Sequence, residues 1–125
     1  MHPAGLKYSR NHLWVKNEVG GRVRIGLTYH YQEHLQKIIF VELPKVGAGI
    51  IIGEPFGSIE SSKTISDLIS PVTGKVIEVN IPLKEEPGLI TEEPYGSGWM
   101  LVVEMNDQQE LNSLLSSTEY EAMVK

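Results

Sequence analysis

The chain has 125 residues, 41% of them hydrophobic, enough apolar material for one compact core and too little for two. A formal charge of −5 and a pI near 5.3 argue against the basic face that a nucleic-acid binder presents. Cysteine is absent, which excludes disulfides, thiolate nucleophiles and cysteine-based zinc sites, so any redox chemistry must come from a group added to the chain.

The first residues, Met1-His2-Pro3-Ala4-Gly5, lack the basic region and long apolar stretch of a signal peptide. The isoleucine run Ile50-Ile51-Ile52, like every other apolar run in the chain, is far too short to span a membrane. These features predict a soluble intracellular protein without a membrane partner. They favour the cytoplasm of a bacterium, or a mitochondrial matrix if the chain is a processed form.

The predicted elements are short. Trp14-Val15-Lys16 reads as a strand, and Arg22 to Leu27 alternates so that Val23, Ile25 and Leu27 share one face. Gly20-Gly21 between them signals a hairpin. Thr28 is placed to cap a short helix over about 29–35. Ile38 to Leu43 is a β-rich run ended by Pro44, after which Val46-Gly47-Ala48-Gly49 turns the chain into the isoleucine run.

Two further strands are predicted at Pro55 to Ser61 and Thr64 to Ser70, then a turn at Pro71-Val72-Thr73-Gly74 and a strand from Lys75 to Asn80. Pro82 to Gly98 shows no periodic apolar pattern and reads as a polar loop. Trp99 to Met105 is a strand with Trp99, Leu101, Val103 and Met105 on one face. Asp107-Gln108-Gln109-Glu110 has the form of a capping box opening a helix with a Leu111, Leu114 and Leu115 stripe; a last short helix carries Tyr120, Met123 and Val124. Many short strands joined by Gly/Pro turns predict a mainly β fold, an antiparallel sandwich or flattened barrel with peripheral helices.

One segment is locally symmetric. Lys63 lies ten residues after Gly53 and eleven before Gly74, with a strand candidate on either side. That spacing predicts a lysine at the tip of a protruding hairpin. A charged residue in a turn is ordinarily no more than a solvated side chain. Other candidates carry less. His30 and His34 share a helix face, but no carboxylate or cysteine cluster completes a metal site around them. Gly47-Ala48-Gly49 and Gly96-Ser97-Gly98 lack the helix that a phosphate loop requires. Trp14 and Trp99 read as core residues.

The stretch Glu60-Ser61-Ser62-Lys63-Thr64-Ile65-Ser66-Asp67 resembles the lipoylation site of glycine cleavage system H proteins, a Glu-Ser-x-Lys turn followed by a Ser-Asp pair. The resemblance runs from Tyr8 to about Tyr120. Phe40-Val41-Glu42-Leu43-Pro44 with Val46-Gly47 is similar to the strand and turn before that family's lipoyl hairpin, and Pro71-Val72-Thr73-Gly74 with Val76 to Asn80 to the strand after it. Glu93-Pro94-Tyr95-Gly96 with Gly98-Trp99 resembles its closing motif. A biotin carrier uses a similar hairpin, but its lysine sits between methionines, whereas Ser62 and Thr64 flank Lys63.

The resemblance implies a lipoyl-domain-like (hammerhead) flattened barrel or sandwich of two mostly antiparallel sheets, with a short helix near 29–35 and C-terminal helices. One lipoyl-carrier domain would span 1–125, its hairpin at about 53–74 and its helical segment at about 107–124. It also implies lipoic acid in amide linkage to Lys63, on a chain that is not itself an enzyme. Such a carrier would be a monomer, moving the aminomethyl group of glycine between glycine decarboxylase (P protein), aminomethyltransferase (T protein) and dihydrolipoamide dehydrogenase (L protein). A lipoate ligase or an octanoyltransferase would load it. Glu60, Ser61, Ser62 and Asp67, with Leu13 and His34, are the implied recognition or arm-docking positions.

Two departures bear on the pathway. The family usually places a glutamate, thought to help hold the loaded arm, where this chain has Leu13 in His12-Leu13-Trp14. It also tends to have a glycine and an acidic residue where Gln36 and Lys37 stand. The loaded arm is therefore expected to be more exposed and to lose its aminomethyl group faster. An H-like carrier or lipoyl relay serving another pathway stands as the alternative, and an unmodified relative is disfavoured by the intact Lys63.

Overall fold

The computed structural model describes residues 2–30 and 37–124. Six strands form one antiparallel sheet: β1 (Lys7–Tyr8), β2 (Leu13–Glu18), β3 (Arg22–Leu27), β5 (Gly49–Ile50), β8 (Gly74–Val79) and β9 (Leu101–Met105), in the order β1-β2-β3-β9-β8-β5. Three strands, β4 (Ile38–Glu42), β6 (Pro55–Ser61) and β7 (Ile65–Ile69), form a second antiparallel sheet in the order β4-β6-β7. Neither sheet returns to its own first strand, so the fold is a sandwich and not a closed barrel.

Alternation decides what lies between the sheets. Val23, Ile25 and Leu27 of β3 are fully buried, as are Leu101 and Val103 of β9 and Val76 of β8. Val41, Ile59 and Leu68 from the small sheet join them in one apolar cluster. Burial of a side chain of this size contributes roughly 1.5–3 kcal/mol. Gly20 and Gly21, at φ +78° and +76°, supply the left-handed backbone that the tight β2–β3 turn needs.

The structure departs from the sequence reading at several places. The segment read as a polar loop contains a 3₁₀ turn at Ile81–Lys84 and a one-turn helix α1 (Leu89–Glu92), which bury Leu83 and Ile90 completely. One apolar anchor per turn leaves no periodicity to detect. The isoleucine run supplies only Ile50 to a strand, and Ile51 and Ile52 are exposed. Gln108–Ser113 is 3₁₀ rather than α, and its capping box is half made: Asp107 accepts from the Gln109 N–H at 2.9 Å. Glu110 turns instead to the Thr73 N–H, at 2.7 Å. A reciprocal box stands nine residues on. The Ser116 hydroxyl accepts from the Glu119 N–H at 3.2 Å while Glu119 accepts from the Ser116 N–H at 2.8 Å, opening α2 (Ser117–Val124). The bond from the Ser116 N–H is the first cause that lowers the pKa of the Glu119 carboxyl.

Of the helix predicted over 29–35, Tyr29 and His30 are helical and the remainder lies outside the described residues. Trp14 is buried, its indole N–H donating to the Pro94 carbonyl at 2.8 Å. Trp99 is half-buried instead of a core residue, with the Arg24 guanidinium 4.4 Å above its ring. The chain ends meet where Tyr8 and Leu115 exchange backbone bonds and the Tyr8 and Tyr120 rings stack at 4.9 Å.

Candidate functional site

The hairpin β6–β7 carries Lys63, and its root is held at both ends. At the base, the Gly53 N–H donates to the Ser70 carbonyl at 2.9 Å and the Ser70 N–H to the Glu54 carbonyl at 2.8 Å. The hairpin therefore closes at Gly53 and Ser70. Gly74 already belongs to the larger sheet, opposite Met105 and Ile50. Along its length, Ile59 and Leu68 point into the core. At the tip, the Ser61 N–H donates to the Thr64 carbonyl at 2.8 Å, and the Ser62 N–H donates to the Lys37 carbonyl of the neighbouring strand end at 3.0 Å.

These bonds leave Ser62, Lys63 and Thr64 exposed, on a turn whose backbone is tied down. Lys63 enters no ion pair among the described residues. An amide-linked acyl group needs an exposed primary amine that a second active site can enclose, and a rigid root if the arm is to sweep a defined volume. Lys63 meets both requirements.

The other sequence-predicted positions divide. Glu60 is half-buried and Asp67 exposed, both on the outer face of the small sheet. Ser61 belongs to the interior: it is 4% exposed, and its hydroxyl is used on Thr64. It shapes the turn and offers no surface for recognition. Leu13 is fully buried in the main apolar cluster, on the other sheet, with its N–H bonded to the Ser9 hydroxyl at 3.1 Å. A side chain so placed presents nothing to a docked arm, which removes Leu13 from the arm-docking set. His34 and Gln36 lie outside the described residues. His30 is not an ordinary surface histidine, its ring lying 5.1 Å from that of His12. Among the described residues no group of three His, Cys, Asp or Glu side chains is placed to hold a metal.

Sequence reasoning missed a groove of about 170 Å³ at the hairpin base, where Ser9, Arg10 and Asn11 face Gly53, Ser70 and Leu114. No carboxylate lines it among the described residues. Its parts are far apart in the chain and carry no shared pattern, so nothing local announces it. No helix among the described residues is long and apolar enough to cross a membrane.

Comparisons with known proteins agree in kind. The family model described as glycine cleavage H-protein matches residues 6–125. The chain is 51% identical over 123 residues to the glycine cleavage system H protein of Geobacillus sp. (strain WCH70), covering 98% of this chain and 96% of that one. It is 52% identical over 123 residues to that of Brevibacillus brevis, covering 98% and 97%. The crystal structure of a glycine cleavage system H protein from Mycobacterium marinum superposes with a TM-score of 0.86 at 36% identity, over 96% of each chain. With a sandwich of the same fold and a matching sequence over nearly its whole length, the chain belongs to the glycine cleavage H-protein family.

Proposed function

We propose that Lys63 carries lipoic acid in amide linkage and that the chain serves glycine cleavage as a non-catalytic carrier. The observation that carries this reading is the turn itself: an exposed lysine on a hairpin whose tip, base and inward face are all pinned. Acylation of the amine removes one positive charge and adds a long flexible arm to a fixed root. Lys63 would hold the lipoyl group, whose dithiolane would supply the carrying chemistry: reductive uptake of the aminomethyl group of glycine at the decarboxylase, its release at the aminomethyltransferase, and reoxidation of the resulting dithiol by dihydrolipoamide dehydrogenase.

The protein's own contribution is positional. Ser61 and Lys37 fix the turn, Ile59 and Leu68 anchor the strands, and Glu60 and Asp67 offer charge to the partners that must recognise it. Tethering then sets the effective concentration of the arm at each active site. A monomeric cytoplasmic carrier fits this role. Incubation with lipoate, ATP and a lipoate ligase is expected to add one lipoyl group by intact mass, and Lys63→Ala to accept none. Lipoylation persisting in Lys63→Ala would overturn the assignment.

A second reading, an H-like carrier for another lipoate-dependent pathway, is favoured by one observation. Among the described residues, the groove at the hairpin base has no carboxylate with which to hold a loaded arm. Reconstitution with the glycine-cleavage partners separates the two. Glycine-dependent reduction of NAD⁺ supports the first reading, and its failure with a fully lipoylated carrier supports the second.

A further inference from the structure

We propose that the outer face of the three-stranded sheet is the docking surface for the enzyme that acylates Lys63, and that this enzyme presents an apolar socket with basic side chains. The inference rests on Lys63 being the carrier lysine and goes beyond it by naming the contact.

The ladder places Phe40, Glu60 and Ile65 in one row across β4, β6 and β7, and Glu42, Ser58 and Asp67 in the next. Directly opposed residues share a face. That face is outward, because the intervening Val41 and Ile59 are buried. Phe40 is nevertheless 51% exposed and Ile65 66%. The two lie one strand to either side of Glu60, roughly 10 Å apart at ordinary strand spacing.

The exposure of Phe40 is built into the backbone. Simple alternation from the buried Ile38 would send Phe40 inward as well. A register shift between Ile38 and Phe40 reverses the phase, leaving Ile39 and Phe40 outside and returning Val41 to the core. Bulges re-aim side chains in this way. The result is a large aromatic group held in water beside the modification turn.

Charge selects the occupant. Glu42, Glu60 and Asp67 surround the apolar pair, none of them enters an ion pair among the described residues, and no Lys or Arg stands in either row. A second copy of this chain, packed face to face about a two-fold axis, would set carboxylates against carboxylates. A protein with two apolar pockets bracketing a basic side chain fits, the base meeting Glu60. The acylating enzyme is the partner that must close over the Lys63 amine within the length of one lysine side chain, so its body has to rest on the strands leading to the turn. Partners that act at the far end of an extended arm are free of that constraint.

The test uses the full chain, lipoate, ATP and a lipoate ligase, with the chain as varied substrate. Phe40→Thr/Ile65→Thr keeps β-forming residues at both positions. It is expected to raise the KM for the chain roughly tenfold or more, with kcat within about twofold. Glu42→Gln/Asp67→Asn is expected to raise KM and flatten its salt dependence. Oxidation of the reduced arm by dihydrolipoamide dehydrogenase, measured on lipoylated protein, is expected to stay within about twofold in the double threonine variant. Should the double threonine variant fail to fold by circular dichroism, Phe40→Thr and Ile65→Thr alone are each expected to raise KM about threefold. An unchanged KM while the wild type is lipoylated normally overturns the proposal and leaves the role of Lys63 intact. So does an equal loss in the dehydrogenase reaction, or a wild-type dimer that the threonine variant dissociates. If the wild type accepts no lipoyl group, the assignment of Lys63 itself fails and the docking proposal falls with it.

Discussion

Ser61 and Thr64 close the turn that carries Lys63 through three hydrogen bonds. The Ser61 N–H donates to the Thr64 carbonyl at 2.8 Å, and the Ser61 hydroxyl donates to the same carbonyl at 3.2 Å and accepts from the Thr64 N–H at 3.2 Å. A buried serine at the start of a solvent-exposed turn thus substitutes for the missing next pair of the ladder. Ser61→Ala keeps the backbone bond but leaves the Thr64 N–H without its hydroxyl partner. It is expected to cost about 1 kcal/mol of stability. Amide exchange at Thr64 should rise more than exchange at Ile59, which lies deeper in the hairpin, and lipoylation should slow by a few fold. Unchanged exchange at Thr64 would show that the backbone alone holds the turn.

That division of labour explains what could be read in advance. The strands β3 and β9 follow from alternation, and the hairpin from two strand-like runs around Lys63 with Gly53 at its base, because these signals are local. Sequence does not show that Ser61 staples the turn, because a serine beside a lysine looks the same whether it faces solvent or the interior. The burial of Leu13 is hidden in the sequence for a related reason. A departure from a family pattern draws attention to function, while its neighbours Trp14 and Val15, buried with it, show a strand covered on both faces. Phe40 escaped notice because its exposure depends on a register shift that only the pairing with β6 reveals.

Leu13→Glu does not test arm docking. The side chain at this position is fully buried among apolar residues, so a glutamate there would enter the core without a partner. A destabilisation of about 3–5 kcal/mol is expected near neutral pH. Desolvation raises the pKa of a buried carboxyl. The folded variant therefore binds its proton more tightly than the unfolded chain, and the deficit should be smaller at pH 3, where only the neutral carboxyl is buried, and grow as pH rises through about 4.3, the unfolded value. Denaturant titration at both pH values measures it. A variant as stable as wild type at pH 7 would mean that Leu13 moves to the surface on substitution.

Glu110 ties the C-terminal segment to the turn ahead of β8, its carboxylate accepting from the Thr73 N–H at 2.7 Å. The Thr73 hydroxyl in turn accepts from the Ile52 N–H at 3.0 Å, just before the hairpin base. Glu110→Ala is expected to cost about 1.5 kcal/mol, the lower end for a charge-assisted bond because Glu110 is half-exposed. Glu110→Gln keeps an acceptor oxygen and should recover about half of that loss. Equal destabilisation by the two substitutions would indicate that charge, and not the bond, is what matters.

The last expectation concerns alkaline pH. Tyr120 is fully buried against Tyr8, and its hydroxyl lies 2.7 Å from His12 Nδ1 and 2.8 Å from the Thr28 hydroxyl. Burial pushes its pKa up to about 12, with Tyr95 and Glu121 adding to the rise and the Thr28 bond opposing it. Burial pushes Tyr8 up as well. In the unfolded chain a tyrosine ionises near pH 10. Between that value and about 12 the folded state keeps a proton that the unfolded state has released, so the unfolded state binds fewer protons and stability falls as pH rises. The contribution is fully present below pH 10 and is lost as pH climbs toward 12. Melting temperature should drop steeply across this window, and phenolate absorbance should show some tyrosines titrating only with unfolding. Tyr120→Phe loses the bonds to His12 and Thr28 and starts less stable, but it should show a shallower fall from pH 10 to 12 because one of the retained protons is gone. A slope equal to that of wild type would place the alkaline transition elsewhere, in Tyr8 or the surface lysines, and would remove Tyr120 as the group that couples the C-terminal helix to pH.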